Sequence, residues 1–175
     1  NTVTDFPECE VRVITVAPDT WDIGEQYNDI YDVERLSADR IAWVDQNVSS
    51  TDFRVILIPP SPTPGYLGGY VEAPGLDNVI KNNSNIVAFI CGHLHPDPAT
   101  ADYIIRKVTF GSNTVACICL PSLGGSGEMP EVYTRAAFAS VVPVLPDDSV
   151  QLRVRDVLSA QWVKHKGVYV TTVTK

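Results

Sequence analysis

The sequence predicts an α/β fold of the α+β sandwich type, in which strand–helix–strand units precede an antiparallel meander. Two runs rich in β-branched residues, 11–16 and 53–58, flank a segment with the periodicity of an amphipathic helix. A second, shorter helical segment leads into a third apolar run at 86–91. Beyond residue 97, five strand-like segments alternate with loops and turn sequences, which is the pattern of consecutive antiparallel strands.

The composition indicates one globular domain. Of the 175 residues, 45% are hydrophobic and 19% are charged, which is enough to bury a full core. The net charge of −8 argues against nucleic acid or an anionic membrane as a partner, because such surfaces require clustered Lys and Arg. No apolar run approaches the ~20 residues that a membrane-spanning helix needs. We therefore expect residues 1–175 to form a single domain.

The first helix has a recognisable beginning and one apolar face. Ser37 precedes the first periodic residues and Asp39 lies in the first turn, so Ser37 is the predicted N-cap. Ile41, Val44 and Val48 then recur at helical spacing, which predicts that this face packs on a sheet.

The predicted strands differ in how deeply they should be buried. Val11–Val16 is β-branched, whereas Phe53–Ile58 and Ile86–Cys91 are nearly continuous in apolar residues. We expect the latter two to be central, parallel and covered on both faces, with a short helix around residues 76–80 between them. The strands predicted for the meander are Tyr103–Phe110, Thr114–Leu120, Ala137–Val144, Val150–Val157 and Val168–Thr174.

The four cysteines allow two interpretations. Cys91, Cys117 and Cys119 lie inside apolar strand-like runs, so buried thiols are expected, and Cys9 lies outside such a run. Cys117 and Cys119 share a strand face, which would also suit a metal, although a single C-x-C pair is weak support for zinc. The sequence leaves their redox state open.

One stretch combines a buried strand with chemically active side chains. The run Ile86–Cys91 is followed by Gly92, and then by His93, His95, Pro96 and Asp97. A strand that ends in a glycine and then presents polar side chains is typical of sites in α/β proteins, where the sheet holds a loop in place. His93 and His95 are two of only three histidines in the chain.

Four segments occur in an order that a known family shares. Val11–Val16 is similar to a V-R-V-I strand ahead of a variable loop, and Leu36-Ser-Ala-Asp-Arg-Ile-Ala-Trp-Val44 is similar to an L-S-x-x-Q-x-x-W-L helix. Phe53–Ile58 is similar to a strand that leads to H-x-P, and Gly92-His-Leu-His95 matches G-H-x-H. In this order the segments resemble the C-terminal half of the calcineurin-like metallophosphoesterases, whose domain is a four-layer sandwich.

The resemblance implies a two-metal centre that acts on a phosphate ester. In it, His93 and His95 would each donate an imidazole nitrogen to one of two divalent metals, of the Mn, Fe or Zn class. Gly92, Asp97 and the residues at 59 and 60 would line the site. Two such metals bridge a hydroxide and clamp a phosphate in this family. The resemblance identifies no residue of this chain as the catalytic acid or base.

The chain departs from the family at two places. The D-x-H, G-D and G-N-H-D/E motifs, which supply most ligands and the general acid, are absent from it. Where the family has H-x-P, this chain has Ile58-Pro59-Pro60-Ser-Pro62, and proline has no donor nitrogen. We therefore expect a degenerate, inactive centre in a structural or binding module. The alternative is a metal-dependent phosphoesterase completed by ligands N-terminal to Asn1.

Because the chain resembles only half of a known domain, the resemblance also implies a partner. We expect a preceding segment or another protein chain to pair with Val11–Val16 and cover the sheet. A multi-chain assembly, such as a virion or tail component or an extracellular multidomain protein, would tolerate an inactive centre. A third interpretation is that His93 and His95 only hydrogen-bond loop backbone in an unrelated α/β domain.

Overall fold

A computed structural model describes residues 1–17, 36–63, 65, 74–92, 105–120, 137–144, 149–156, 160–162 and 170–174. Its elements, in chain order, are β1 Thr2–Phe6, a 3-10 turn at Pro7–Cys9, β2 Val11–Thr15, α1 Ala38–Ser49, β3 Arg54–Ile58, α2 Pro74–Asn82, β4 Ile86–Cys91, β5 Ile105–Phe110, β6 Asn113–Cys119, β7 Ala137–Val144, β8 Ser149–Asp156, β9 Gln161–Trp162 and β10 Val170–Thr174. Every predicted helix and strand is confirmed, with ends that differ by a few residues, whereas β1 and β9 were not predicted.

Six strands form the first sheet, in the order β1-β2-β3-β4-β6-β5. The four inner strands, β2, β3, β4 and β6, are parallel, and the two outer strands run antiparallel to their neighbours. The α/β class is therefore confirmed. The first strand, β1, pairs with β2 in unbroken register from Thr2↔Thr15 to Phe6↔Val11. The segment that pairs with β2 is thus part of this chain.

The prediction of one continuous antiparallel meander is wrong in its connectivity. The β5–β6 hairpin belongs to the first sheet, because β6 pairs in parallel with β4. Only β7, β8, β9 and β10 form a separate antiparallel sheet, in the order β10-β8-β7 with β9 on β8. The physical reason lies in β6 itself, since residues 115–119 are buried on both faces, which is typical of a central strand.

The two faces of the first sheet are covered differently. Both helices pack on one face, where Val44 and Val48 of α1 and Leu76 and Ile80 of α2 meet the strands. On the other face, β10 lies alongside β4, β5 and β6, and β8 lies alongside β4. The core of this second face consists of Val11, Ile56, Val87, Ala88, Ile90, Ala116 and Ile118. The central strands are therefore covered on both sides by this chain.

Two asparagines connect the helix ends to the strands that follow. The Nδ2 groups of Asn85 and Asn113 each donate to three backbone carbonyls, at 3.0–3.3 Å. The acceptors are Val48, Thr51 and Phe53 for Asn85, and Ile80, Asn83 and Ile86 for Asn113. These carbonyls lie at or beyond helix ends, where no helical partner remains, so each amide replaces bonds that water would otherwise supply.

An ion pair fixes the position of β1. Arg12 Nε and Nη2 donate to the two carboxylate oxygens of Asp5, at 2.6 and 2.9 Å. Its Nη1 donates to the carbonyl of Asn47 and to Ser50 Oγ, both at 2.8 Å, at the end of α1. The hydrogen bond from Arg12 lowers the pKa of Asp5 and raises that of Arg12. One guanidinium thus joins β1, β2 and α1.

Replacement of Asn113 by alanine should destabilise the protein by about 1–3 kcal/mol, because two buried carbonyls and one partly buried carbonyl would lose their donor. Asn78→Ala is the matched control, since Asn78 is exposed on α2 and the change should be neutral or slightly stabilising. Equilibrium urea unfolding measures both. Equal unfolding midpoints for the two variants would show that the Asn113 amide does not stabilise the fold.

The Asp5–Arg12 pair should make stability depend on pH in one direction. Because the folded pKa of Asp5 is depressed, its contribution is present above the unfolded value, near 3.8, and is lost as the pH falls through the lower folded pKa. The stability difference between wild type and Asp5→Asn should therefore be constant between about pH 6 and 8 and shrink towards about pH 3. Glu8→Gln serves as the control in the same chemical denaturation series. A difference that does not change with pH contradicts the assignment.

Candidate functional site

The four parallel strands end at one edge of the first sheet, which we call the carboxyl edge. Backbone hydrogen bonds continue past the strand ends and hold the connecting residues together. Val16 N donates to Ile58 O at 2.9 Å, and Leu120 N donates to Cys91 O at 2.7 Å. In an α/β sheet the residues at this edge are the ones that form sites. The strand β4, which precedes the two predicted metal ligands, lies between β3 and β6.

The sequence-predicted site residues that the structure describes lie side by side. Gly92 N donates to Pro60 O at 3.2 Å, so the residues that follow β4 adjoin those that follow β3. Pro59 is buried and Pro60 is half-buried. A Cβ at position 92 would meet only the Pro60 carbonyl, at 3.7 Å, which is ordinary contact distance. His93, His95 and Asp97 lie outside the described residues.

The end of β3 offers no side chain that binds a metal. Proline has neither an imidazole nor a carboxylate, and the Pro60 carbonyl already accepts the Gly92 amide. Within the part of the chain that the structure describes, no three His, Cys, Asp or Glu side chains are grouped to hold a metal. The described residues that follow β3, 59–63, therefore supply no His, Cys, Asp or Glu side chain to this edge.

Beyond the prolines, the chain after β3 turns inward and meets α2. Ser61 and Thr63 are 1% and 0% exposed, and Thr63 Oγ1 has no hydrogen-bond partner among the residues that the structure describes. Gly65 N then donates to Asp77 Oδ2 at 3.0 Å, in the first turn of α2. A Cβ at Gly65 would lie 2.7 Å from Phe110 Cε1, so this close approach requires glycine. Sequence reasoning missed Asp77, whose only signal is an acidic residue in a helix's first turn.

Three thiols lie beneath the same edge, on the face that the helices cover. Cys91 and Cys119 are directly opposite each other on β4 and β6, and Cys117 belongs to the same core layer. Cys119 Sγ contacts the Gly92 carbonyl at 3.3 Å. Burial raises the pKa of the Cys117 thiol, and the charge of Arg106 opposes that shift only in part. All four cysteines are free, and Cys91, Cys117 and Cys119 are buried, which confirms the expectation of buried thiols for these three.

Comparison of the chain with protein-family models, with curated proteins and with solved structures finds no match. None of the described helices is long and apolar enough to cross a membrane.

A maleimide should label one thiol of the native protein rapidly. Cys9 is half-buried, whereas Cys91, Cys117 and Cys119 are 3%, 0% and 0% exposed. Intact-mass spectrometry should show one adduct in native buffer, none for Cys9→Ser, and four for the wild type in denaturant, since the chain has four cysteines. Rapid labelling of the Cys9→Ser variant in native buffer would show that a buried thiol is accessible.

Proposed function

We propose that this chain is a metallophosphoesterase-like module with an incomplete, inactive two-metal centre, which acts as a structural or binding domain in a larger protein or assembly. The order of elements supports the resemblance. A strand, a helix with a serine N-cap, a buried strand, a short helix and a second buried strand precede Gly92-His-Leu-His95. These elements end at Gly92, the first residue of the motif, which lies at the carboxyl edge of a parallel sheet, where sites of α/β proteins are formed.

The hydrogen bond between Gly92 and Pro60 is the observation that best supports inactivity. It joins the residue before His93 to Pro60, and the resemblance implies that Pro59 or Pro60 stands where the family has its middle histidine. In this chain that position is a proline, so the substitution lies at the site and not in a distant loop. Without a ligand at the end of β3, His93 and His95 are the two ligands that the resemblance names in this chain. Catalytic metal sites use at least three protein ligands, so two imidazoles would bind metal weakly.

The alternative function is a metal-dependent hydrolase of a phosphomonoester or phosphodiester. It is favoured by the G-H-x-H sequence directly after β4, because imidazole is a common ligand of the Mn, Fe and Zn class of metals. In that case ligands from outside this chain, of the Asp, Asn and His types, would complete a centre for Mn, Fe or Zn. A phosphate ester would then be the ligand of the site.

The proposal predicts that purified protein, saturated with Mn²⁺ and passed through a desalting column, retains little metal. Elemental analysis measures the metal, and hydrolysis of a generic aryl phosphodiester in the presence of Mn²⁺ measures turnover. We expect substoichiometric metal and a rate equal to the protein-free blank, unchanged by His93→Ala. The matched control is His165→Ala, which removes the one histidine outside the motif. Stoichiometric metal with turnover that is lost in His93→Ala and kept in His165→Ala would establish the alternative.

Restoring a ligand at the end of β3 tests the same proposal in the opposite direction. Pro60→His supplies an imidazole beside Gly92 and retains the carbonyl that accepts its amide. If the missing ligand is the defect, Mn²⁺ affinity by isothermal titration should rise by on the order of tenfold or more. Pro60→Ala is the control, because it removes the proline and adds no ligand. Equal affinities for both variants would show that position 60 is not at a metal site.

A further inference from the structure

The outer edge of β1 presents backbone groups that nothing in the described structure uses. Arg54 N donates to Glu10 O, and Val16 N donates to Ile58 O. The backbone N–H and C=O groups of even-numbered β2 residues therefore point towards β3. The backbone groups of the odd-numbered β2 residues therefore point towards β1. In the antiparallel register Thr4 is opposite Val13, which means that Thr2, Thr4 and Phe6 bond to β2.

The N–H and C=O groups of Val3 and Asp5 consequently point away from the sheet. Neither residue makes a backbone hydrogen bond on this side among the described residues. The strand runs for five residues without a proline or a bulge, so the two donors and two acceptors lie in one straight row. This is the geometry to which an extended segment adds as a further strand.

The opposite edge of the same sheet is protected in a way that β1 is not. By the same alternation, the backbone N–H and C=O groups of Lys107 and Thr109 point outward from β5. Lys107 is also exposed to solvent. Edge strands are usually guarded by a lysine, a proline or a bulge, because an unguarded edge pairs with other chains. Residues 2–6 contain no Lys, Arg or Pro, and their one charge, Asp5, is held by Arg12. Within the described ranges, this edge is therefore unpaired and carries no guarding lysine or proline, whereas β5 carries Lys107.

The side chains beside this edge indicate what would bind there. Phe6 is 40% exposed and is the large hydrophobic side chain with the highest exposure among the described residues. Glu8 and Glu10 are exposed in the turn that follows β1, and neither makes an ion pair within the described part of the chain. A second copy of this chain would bring equal negative charges together, since the net charge is −8. A basic segment would be attracted.

From this geometry we infer that the outer edge of β1 is a docking site for an extended, basic peptide segment of another protein, which adds to the first sheet as a strand. Its backbone pairs with Val3 and Asp5, a β-branched or apolar side chain covers Phe6, and Lys or Arg at one end lies near Glu8 and Glu10. The site is independent of the carboxyl edge, so it stands whether or not metal binds there.

The test uses a synthetic probe, an acetylated and amidated heptapeptide with two lysines followed by alternating threonine and valine, labelled for fluorescence anisotropy. We expect saturable binding that weakens as salt is raised, because exposed charges are screened. The same peptide N-methylated at alternate residues should not bind, because it lacks the donors that face the edge. Binding of the methylated peptide at equal affinity would overturn the inference, and this comparison requires no variant to fold.

Protein variants locate the site. Val3→Pro removes an outward N–H and keeps the bonds to β2, so peptide affinity should fall roughly fivefold, the worth of about one hydrogen bond. Thr109→Pro is the matched control, because it removes an outward N–H from β5, and affinity should stay within about twofold. Equal affinities of folded Val3→Pro and wild type would contradict the assignment.

Charge and self-association provide two further outcomes. Glu8→Lys should weaken peptide binding more than Asp39→Lys, which changes the net charge equally at the start of α1. Equal effects would contradict a basic partner. Sedimentation velocity should show a monomer in the absence of peptide. A dimer that Val3→Pro dissociates would show instead that a second copy occupies the edge.

Discussion

Burial of three adjacent parallel strands on both faces is the constraint on which the rest of the structure depends. Val55, Ile56 and Leu57 of β3, like the middle residues of β4 and β6, are at most a few per cent exposed. The buried middle residues of these strands carry no charged or amide side chain, so such side chains lie at the strand ends. The bulge in β4 at Val87 maintains this burial, because it puts Val87 and Ala88 on one face and returns Phe89 to the helix side.

The two ends of these strands have taken different roles. At the amino ends, Asn85 and Asn113 connect helix ends to strands through donor groups that reach three carbonyls each. At the carboxyl edge, the bond between Pro60 and Gly92 brings a proline-rich segment against the start of the G-H-x-H sequence. The amino edge therefore stabilises the fold, while at the carboxyl edge the residues that follow β3 and β4 are held in contact.

Much of this architecture could be predicted from local sequence. Ser37 is the N-cap of α1, and its hydroxyl accepts the amide of Arg40, as the spacing predicted. The strand β1 was missed because Thr2–Phe6 is short, mostly exposed and not clearly apolar. Its position is indicated by the ion pair between Asp5 and Arg12 of β2. The parallel pairing of β6 was missed because strand order depends on long-range burial, which a turn sequence such as Gly111–Asn113 does not encode.

The candidate site, like the fold, could be predicted from the sequence only in part. Because parallel strands end together, the adjacency of Pro60 and Gly92 follows from the two strand assignments alone. The inward turn to Thr63 and the contact of Gly65 with Asp77 could not be predicted, since they depend on the space beside Phe110. We propose that proline at the end of β3 leaves the carboxyl edge without a two-metal centre. Anomalous diffraction from crystals grown with Mn²⁺ tests this most directly. We expect no paired peaks beside Gly92, and two peaks about 3.5–4 Å apart there would contradict the proposal.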